Sequence, residues 1–298
     1  MDPPEFMLTR YLYSKTEVYQ SLLLSLLEHK PKEALFWTYE IYYSGFQTDL
    51  FEYVVQIYNE VYSFENPKLS KFIEKSVQEW YDTPEKHYLI GSIIYTLAMR
   101  NYNLDEFVTK FFEVTCLPRE EGRQINKRNF IVNLTPEDIT QFETLIHPKP
   151  YLVLSQVGLY PIRKNANELF NTIVLDNVKE IYKFVDTWLY YTSKTPIWQE
   201  RISAYGGAVD VENQKVSFED DKKEGEFYDT WDYEVDEQSE EIKQRIYDHD
   251  PPQITMKDFA MLYDVNIIVK KVKLNIPTAT VATPSETLTN SIMYNDTS

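Results

Sequence analysis

The residue types that most often perform catalysis or bind metals stand in no catalytic pattern in this sequence. The four histidines, at positions 29, 87, 147 and 249, form no pair with the spacing of metal ligands on a helix. Cys116, the single cysteine, follows an apolar segment, where a buried and unreactive thiol is the natural interpretation. The seven glycines form no phosphate-binding loop, and no serine stands in a nucleophile-elbow motif. We therefore predict a non-enzymatic protein with no catalytic residue, metal site or cofactor.

The best candidate for an interaction site is an acidic stretch that also carries aromatic residues. Residues 219–250 contain fourteen carboxylates and four cations, so this stretch holds a formal charge of −10 out of a total of −17. Aromatic side chains supply anchoring area at interfaces, and carboxylates steer a basic partner towards them. The simpler alternative is that the aromatic residues pack on their own domain while the acids face water. The predicted partner-binding residues are Phe227, Tyr228, Trp231, Tyr233, Asp236 and Glu237.

A cluster of basic residues in the middle of the chain is the second candidate. Cations that converge on one surface can bind phosphate, so the cluster predicts a phosphate-binding site if the fold also brings Lys149, Arg163 and Lys164 towards it. The net charge of −17 argues against a general nucleic-acid binder, which needs a positive surface to displace counterions. A local basic patch is compatible with that charge. Its predicted members are Arg119, Arg123, Lys127 and Arg128.

Helices are the elements that must position these candidates. Before residue 117, apolar residues with helical spacing and cap signals predict six helices with short connections. The first is expected over residues 11–29 and the last over residues 104–114. The second covers residues 33–46 and is apolar on most sides, so we expect it in the buried middle of a bundle. Gly45 is expected to end this helix in the left-handed conformation.

The chain after residue 130 is expected to mix helices with short strands. Apolar residues alternate with polar ones on both sides of residues 212–214, which predicts a β-hairpin. Helix-start signals and apolar periodicity predict the remaining elements. They are a strand at 130–132, helices that begin at Thr135, Asp176 and Pro196, helices at 236–247 and 255–263, and a strand at 265–274.

The expected fold is therefore mainly α: an irregular helical bundle or superhelix with a small α+β segment that contains the hairpin. The polar and partly basic residues 117–129 are the best candidate for a domain boundary. Residues 7–116 would then form an N-terminal helical bundle, and residues 130–274 a C-terminal helical domain with the hairpin and the acidic stretch. Residues 1–6 look like a vector-derived scar, and residues 275–298 have the composition of a disordered tail.

Composition also narrows the setting in which the protein is expected to act. Hydrophobic residues make up 43% of the chain and aromatic residues 15%, which is typical of a globular protein. No apolar run approaches the roughly 20 residues that span a bilayer, so we expect no membrane association. A single cysteine allows no internal disulfide, which fits a reducing compartment such as the cytoplasm.

Three segments of the chain resemble uncharacterised proteins encoded by giant nucleocytoplasmic DNA viruses: residues 33–46, residues 196–198 with the hairpin after them, and residues 227–239. The resemblance brings no catalytic residues with it. It implies a setting, namely the cytoplasm of an infected cell, a viral factory or the virion. We expect a non-enzymatic adaptor that acts through protein–protein contacts with a basic partner. The alternatives are an accessory nucleic-acid-associated factor in viral replication or gene expression, and a structural component of the virion.

Overall fold

α-Helices dominate the part of the chain that the computed structural model describes. This part comprises residues 6–117, 130–143, 145–172, 181–247 and 251–268, with the backbone alone for residues 181–186. Short connections join the first six helices, as the sequence predicts. These helices are α1 (Lys15–Leu27), α2 (Pro31–Tyr43), α3 (Gln47–Ile57), α4 (Ser70–Asp82), α5 (Tyr88–Ala98) and α6 (Asp105–Phe111). A π-helical segment (Tyr58–Tyr62) continues α3, and a 3-10 turn (Pro67–Leu69) leads into α4.

The second helix lies in the core, which confirms the expectation from its apolar residues. α2 packs against α1, α3 and α5, and ten of its thirteen residues are buried. Trp37 is 0% exposed, and its ring meets that of Tyr13 edge-on at 5.2 Å. Gly45 follows α2 with φ +99°, the left-handed conformation that was predicted for it. A Cβ atom at Gly45 would lie 2.5 Å from the Cβ atom of Pro196, so this glycine also allows close packing.

The N-terminal residues run through the core before the first helix begins. α1 starts at Lys15, four residues later than predicted, because residues 8–14 form a turn closed by a bridge between Leu8 and Ser14. The Thr195 hydroxyl donates to the Leu8 carbonyl at 2.6 Å, and Arg10 forms a buried ion pair with Glu40 at 3.0 Å. This turn satisfies buried backbone groups that a longer helix would have left without these partners.

The second half of the described chain contains shorter helices and more irregular backbone. The helix predicted to begin at Thr135 does begin there, with a capping box between Thr135 and Asp138, but it is a single turn. The predicted strand at 130–132 does not form, because this segment lies against α5 through side-chain hydrogen bonds: the Val132 amide donates to Thr96 Oγ1 at 3.0 Å. The helices here are α7 (Pro136–Ile139), α8 (Val153–Val157), α9 (Ile181–Thr192), α10 (Pro196–Ala204), α11 (Asp221–Trp231), α12 (Glu240–Ile246) and α13 (Met256–Leu262).

Within the described ranges, four short strands form two separate antiparallel pairs. The predicted hairpin is confirmed as β2 (Ala208–Asp210) and β3 (Lys215–Ser217), with Val209 opposite Val216. β1 (Thr115–Cys116) pairs with β4 (Ile267–Ile268), so only the first part of the strand predicted at 265–274 falls within the described residues. The prediction of a mainly α fold with a small hairpin-containing segment is thus confirmed.

The two sides of the predicted domain boundary belong to one compact unit, which extends to Ile268. Residues 118–129 lie outside the described residues, but the helices before them and the elements after them share contacts throughout. The Arg10 guanidinium donates to the Phe142 carbonyl at 2.8 Å, and the Tyr233 hydroxyl donates to the Arg10 carbonyl at 3.3 Å. The boundary predicted at 117–129 therefore does not separate two compact units. Residues 1–5 of the scar predicted at 1–6 and the tail predicted at 275–298 also lie outside the described residues.

Candidate functional site

Most aromatic residues of the predicted partner-binding surface belong to the core. Phe227 on α11 is 0% exposed, and its ring lies 4.9 Å from that of Phe218 between centroids. Tyr233 is 2% exposed, while Tyr228 and Trp231 are half-buried against the core. Phe227 and Tyr233 are therefore not available as anchors for a partner, which corrects the prediction from their spacing among acids. The structure follows the alternative, in which the aromatic residues pack on their own domain.

The aromatic residues Trp231 and Tyr233, which follow Phe227, contact a buried cation of the chain itself, Arg201. Arg201 on α10 is buried, and its guanidinium carbon lies 3.9 Å from the Trp231 ring centroid and 4.5 Å from that of Trp198. The guanidinium also donates to the Tyr233 hydroxyl at 3.3 Å. Burial raises the pKa of Tyr233 to about 12, although the Arg201 charge opposes the shift. Arg201, Trp198, Trp231 and Tyr233 form the Arg201 cluster, whose attraction for a cation is already satisfied within the chain.

The two acidic residues of the predicted partner-binding surface lie at the surface of the protein, unlike the buried Phe227 and Tyr233. Asp236 and Glu237 are exposed in the turn after α11. Burial raises the pKa of nearby Asp232, and the charges of Asp236 and Glu237 raise it further. Phe227 and Tyr233 are thus buried while Asp236 and Glu237 are exposed, although aromatic and acidic residues alternate in the sequence.

The predicted phosphate-binding cluster cannot be placed, because Arg119, Arg123, Lys127 and Arg128 lie outside the described residues. Of the three basic residues expected to join it, only Lys149 is exposed. The Lys164 ammonium donates to the Tyr247 carbonyl. These positions add no support for a phosphate site.

Arg163, the third of these residues, is held by two carboxylates. Its guanidinium donates to both oxygens of Glu28 at 2.9 and 3.0 Å and to both oxygens of Glu33 at 2.8 and 2.9 Å. Burial would raise the pKa of Glu28, but hydrogen bonds from Lys30 and Arg163 and their charges lower it overall. This paired network ties α1 and α2 to the chain that follows α8. Its charges are matched within the protein, so they do not form an anion site.

A groove between α1 and α3 presents aromatic and acidic side chains at the same opening. The two helices run in parallel, because Lys15 meets Asp49 at 2.9 Å and the Tyr53 hydroxyl donates to the Tyr19 carbonyl at 3.1 Å, both at a separation of 34 residues. The rings of Tyr19 and Tyr53 meet edge-on at 4.7 Å. The groove encloses about 530 Å³, a volume in the range of ligand-binding clefts.

Phenylalanine rings close one side of this groove. Phe107 and Phe111 on α6 stack at 5.4 Å, and Phe170, from the segment after α8, lies 5.5 Å from Phe111. Phe107 is 6% exposed, whereas Phe111 is 48% exposed, so the apolar wall rises from the core to the surface. Leu23 of α1 and Ile57 of α3 complete its apolar lining. Exposed aromatic area of this kind is typical of binding sites.

Three carboxylates and one ammonium group line the same groove. Asp49 is paired with Lys15, whose ammonium also lies 3.7 Å from the centroid of the Phe46 ring. Glu52 and Glu60 form no ion pair with a described residue, and the Gln56 amide donates to Glu60 at 3.4 Å. Burial raises the pKa of Tyr19, and the Asp49 charge raises it further, so its hydroxyl stays neutral. We call this cleft the acidic groove; its rim is negative and its floor is apolar.

The acidic groove was not predicted, although one signal for it was present in the sequence. α3 and its π-helical continuation carry acidic or polar residues at 49, 52, 56 and 60, a helical stripe beside the buried face. An acidic stripe by itself predicts only a solvated helix face. The aromatic wall comes from α6 and Phe170, more than 40 residues away along the chain, so no local pattern could reveal it.

The potential metal ligands and the single cysteine are the remaining groups to place in the structure. Among them, no group of three or more histidine, cysteine, aspartate or glutamate side chains could hold a metal ion. The half-buried Cys116 thiol lies in β1 and donates to the Asp105 carbonyl at 3.5 Å. A search of the helices in the same ranges finds none that is long and apolar enough to cross a membrane.

Comparison with known proteins identifies no relative of this chain. No protein-family model, no curated protein sequence and no solved structure matches the chain.

Proposed function

We propose that this protein is a non-enzymatic interaction protein that binds a basic and apolar segment of a protein partner in the acidic groove. One observation carries the proposal: exposed aromatic area and two carboxylates that form no ion pair with a described residue line one opening. Phe111 is 48% exposed at the wall, and Glu52 lies exposed on the rim. An aromatic wall can anchor apolar side chains, and unpaired carboxylates favour a cationic partner over an anionic one.

Lys15 supports the choice of a cationic partner. Its ammonium sits between the Asp49 carboxylate, at 2.9 Å, and the Phe46 ring, at 3.7 Å from the centroid. Contacts of this kind between an ammonium group, a carboxylate and an aromatic face are favourable, and the rest of the groove repeats the same residue types. The resemblance to giant-virus proteins supplies the proposed setting, an adaptor in the cytoplasm or viral factory of an infected cell.

Peptide binding to the full chain tests this function. The probe is a fluorescent peptide of leucine and lysine, and its matched control replaces every lysine by glutamate. We expect the lysine peptide to bind and the glutamate peptide to fail, with anisotropy as the measurement. Phe111→Ala should weaken the lysine peptide about tenfold, the loss of one well-placed anchor. Phe64→Ala should have no effect, because Phe64 is 78% exposed and does not line the groove.

Charge variants separate the groove from the general acidity of the chain. Glu52→Gln on the rim should weaken the lysine peptide, whereas Glu74→Gln, an exposed position on α4, should not. Equal loss in both variants would mean that the peptide responds only to the net charge of −17. Equal binding of the lysine and glutamate peptides, or an unaltered affinity in Phe111→Ala, would contradict the proposal.

A further inference from the structure

The walls of the acidic groove are helices and irregular backbone, with no strand among the described residues that line it. Its long sides are α1, through Lys15 to Leu23, and α3 with its π-helical continuation, through Asp49 to Glu60. The two sides stay in register, since residue 15 contacts residue 49 and residue 19 contacts residue 53. Two parallel helices in register form a straight cleft whose ridges and grooves can receive a third helix.

The structure assigns a conformation to the partner segment: we propose that it is one basic amphipathic helix of about three turns lying along α3. This inference rests on the function proposed above and adds the shape of the ligand to its charge. Asp49 and Glu60 are eleven residues apart, which corresponds to a length of roughly 16 Å along the helix axis. That length accommodates about three turns of a helical partner.

Backbone hydrogen bonding favours a helix over an extended segment. An extended peptide satisfies its amide and carbonyl groups by pairing with the edge of a sheet, and no described strand lines this groove. Against Phe107, Phe111 and Phe170, an unpaired backbone would lose water without gaining partners. A helix satisfies its own backbone groups, so only its side chains need to match the wall.

The rim carboxylates also indicate where the cations of this helix should lie. Glu52 and Glu60 are eight residues apart on the same side of the groove, about two helical turns. Lysine or arginine residues seven or eight positions apart would therefore face both carboxylates from one edge of the partner helix. Apolar residues on the adjoining face of the same helix would then meet the aromatic wall.

Peptides of identical composition test the conformation. One peptide of leucine and lysine carries its leucines with helical spacing, and the other alternates leucine with lysine, the spacing of a strand. Both are titrated against the full chain by calorimetry, and helix formation is followed by circular dichroism. We expect the helical peptide to bind at least about tenfold more tightly and to gain helical signal on binding. Phe111→Ala should reduce this advantage, whereas Phe64→Ala should preserve it.

The outcomes distinguish this inference from the function on which it rests. If both peptides bind equally in the groove, with the same loss in Phe111→Ala, the helical conformation is wrong and the proposed function stands. If neither peptide binds, both are wrong. If the helical peptide binds but Phe111→Ala and Phe64→Ala behave alike, the binding site lies elsewhere and both are again wrong.

Discussion

The acidic segment around α11 and the acidic groove between α1 and α3 are built from the same residue types. In the first, Phe227 and Tyr233 are buried while Asp236 and Glu237 are exposed, so rings and carboxylates face different environments. In the second, the exposed ring of Phe111 shares an opening with several carboxylates. The first region is contiguous in the sequence, whereas the second gathers residues from four separate stretches of chain.

The two regions also differ in how their aromatic faces are used. In the Arg201 cluster, a guanidinium of the chain itself fills the space between Trp198 and Trp231. In the acidic groove, Lys15 occupies only one end, and Glu52 and Glu60 pair with no described cation. A cation that is already bound makes an aromatic cluster part of the core, whereas its absence leaves a surface that a partner can use. Accessibility therefore separates the two regions better than composition does.

Truncation of Phe227 should have the largest effect on stability. Because its side chain is 0% exposed, Phe227→Ala should lower the free energy of unfolding by about 3–5 kcal/mol, the range for buried phenylalanines. Urea denaturation followed by circular dichroism measures this change. A loss below about 1 kcal/mol would show that the ring is accessible, and the segment around α11 would then return as the leading docking surface.

Local features of the fold were predictable because nearby residues decide them. The end of α2 at Gly45, the β2–β3 hairpin and the capping box at Thr255 and Asp258 each depend on residues within a few positions of one another. The start of α1 and the absence of a strand at 130–132 depend on distant partners, such as Thr195 for Leu8 and Thr96 for Val132. Local sequence patterns do not reveal which distant residues form such hydrogen bonds.

The candidate site depends almost wholly on residues that are distant from one another in the sequence. Helical periodicity predicts α1, α3 and α6, but not that α6 and Phe170 close the cleft between the other two. Likewise, the spacing of Phe227 and Tyr233 among acids indicates an interface only if both are exposed. Both are buried, because Phe227 packs on the Phe218 ring and Tyr233 contacts Arg201. Arg201 stands 32 residues before Tyr233 in the chain.

Removal of the Arg201 charge tests the difference between the Arg201 cluster and the acidic groove. Arg201→Met should lower the free energy of unfolding by about 2 kcal/mol, because two cation–π contacts and the hydrogen bond to Tyr233 are lost. Its counterpart in the groove is Lys15→Met, which removes an ion pair with the exposed Asp49 and a contact with the Phe46 ring and should cost about 1 kcal/mol or less. Equal losses in urea denaturation would show that the two cations are equally structural, which would remove the distinction drawn here.

Acid denaturation tests the paired network around Arg163. The pKa of Glu28 is lowered in the folded state from its usual 4.5: hydrogen bonds from Lys30 and Arg163 outweigh the effect of burial. Charged Glu28 therefore stabilises the fold above pH 4.5, and this contribution disappears as the pH falls through the folded pKa. Glu28→Gln should cost about 1–2 kcal/mol at pH 7, and the difference from the parent should shrink below pH 4.5. A difference that is constant from pH 7 to pH 3 would contradict this account.

Truncation of Phe111 should have only a small effect on stability, although it is the same chemical change as Phe227→Ala. The Phe111 side chain is 48% exposed and stacks on Phe107 at the surface, so its removal opens no internal cavity. Phe111→Ala should therefore change the free energy of unfolding by less than about 1 kcal/mol, while the affinity for the lysine peptide falls about tenfold. Such a variant separates folding from binding, because its stability stays close to that of the parent chain.

A loss of 3 kcal/mol or more in Phe111→Ala, in the range of buried phenylalanines, would mean that the wall of the acidic groove is held as part of the core. Both regions would then be structural, and the exposure of Phe111 would no longer distinguish them.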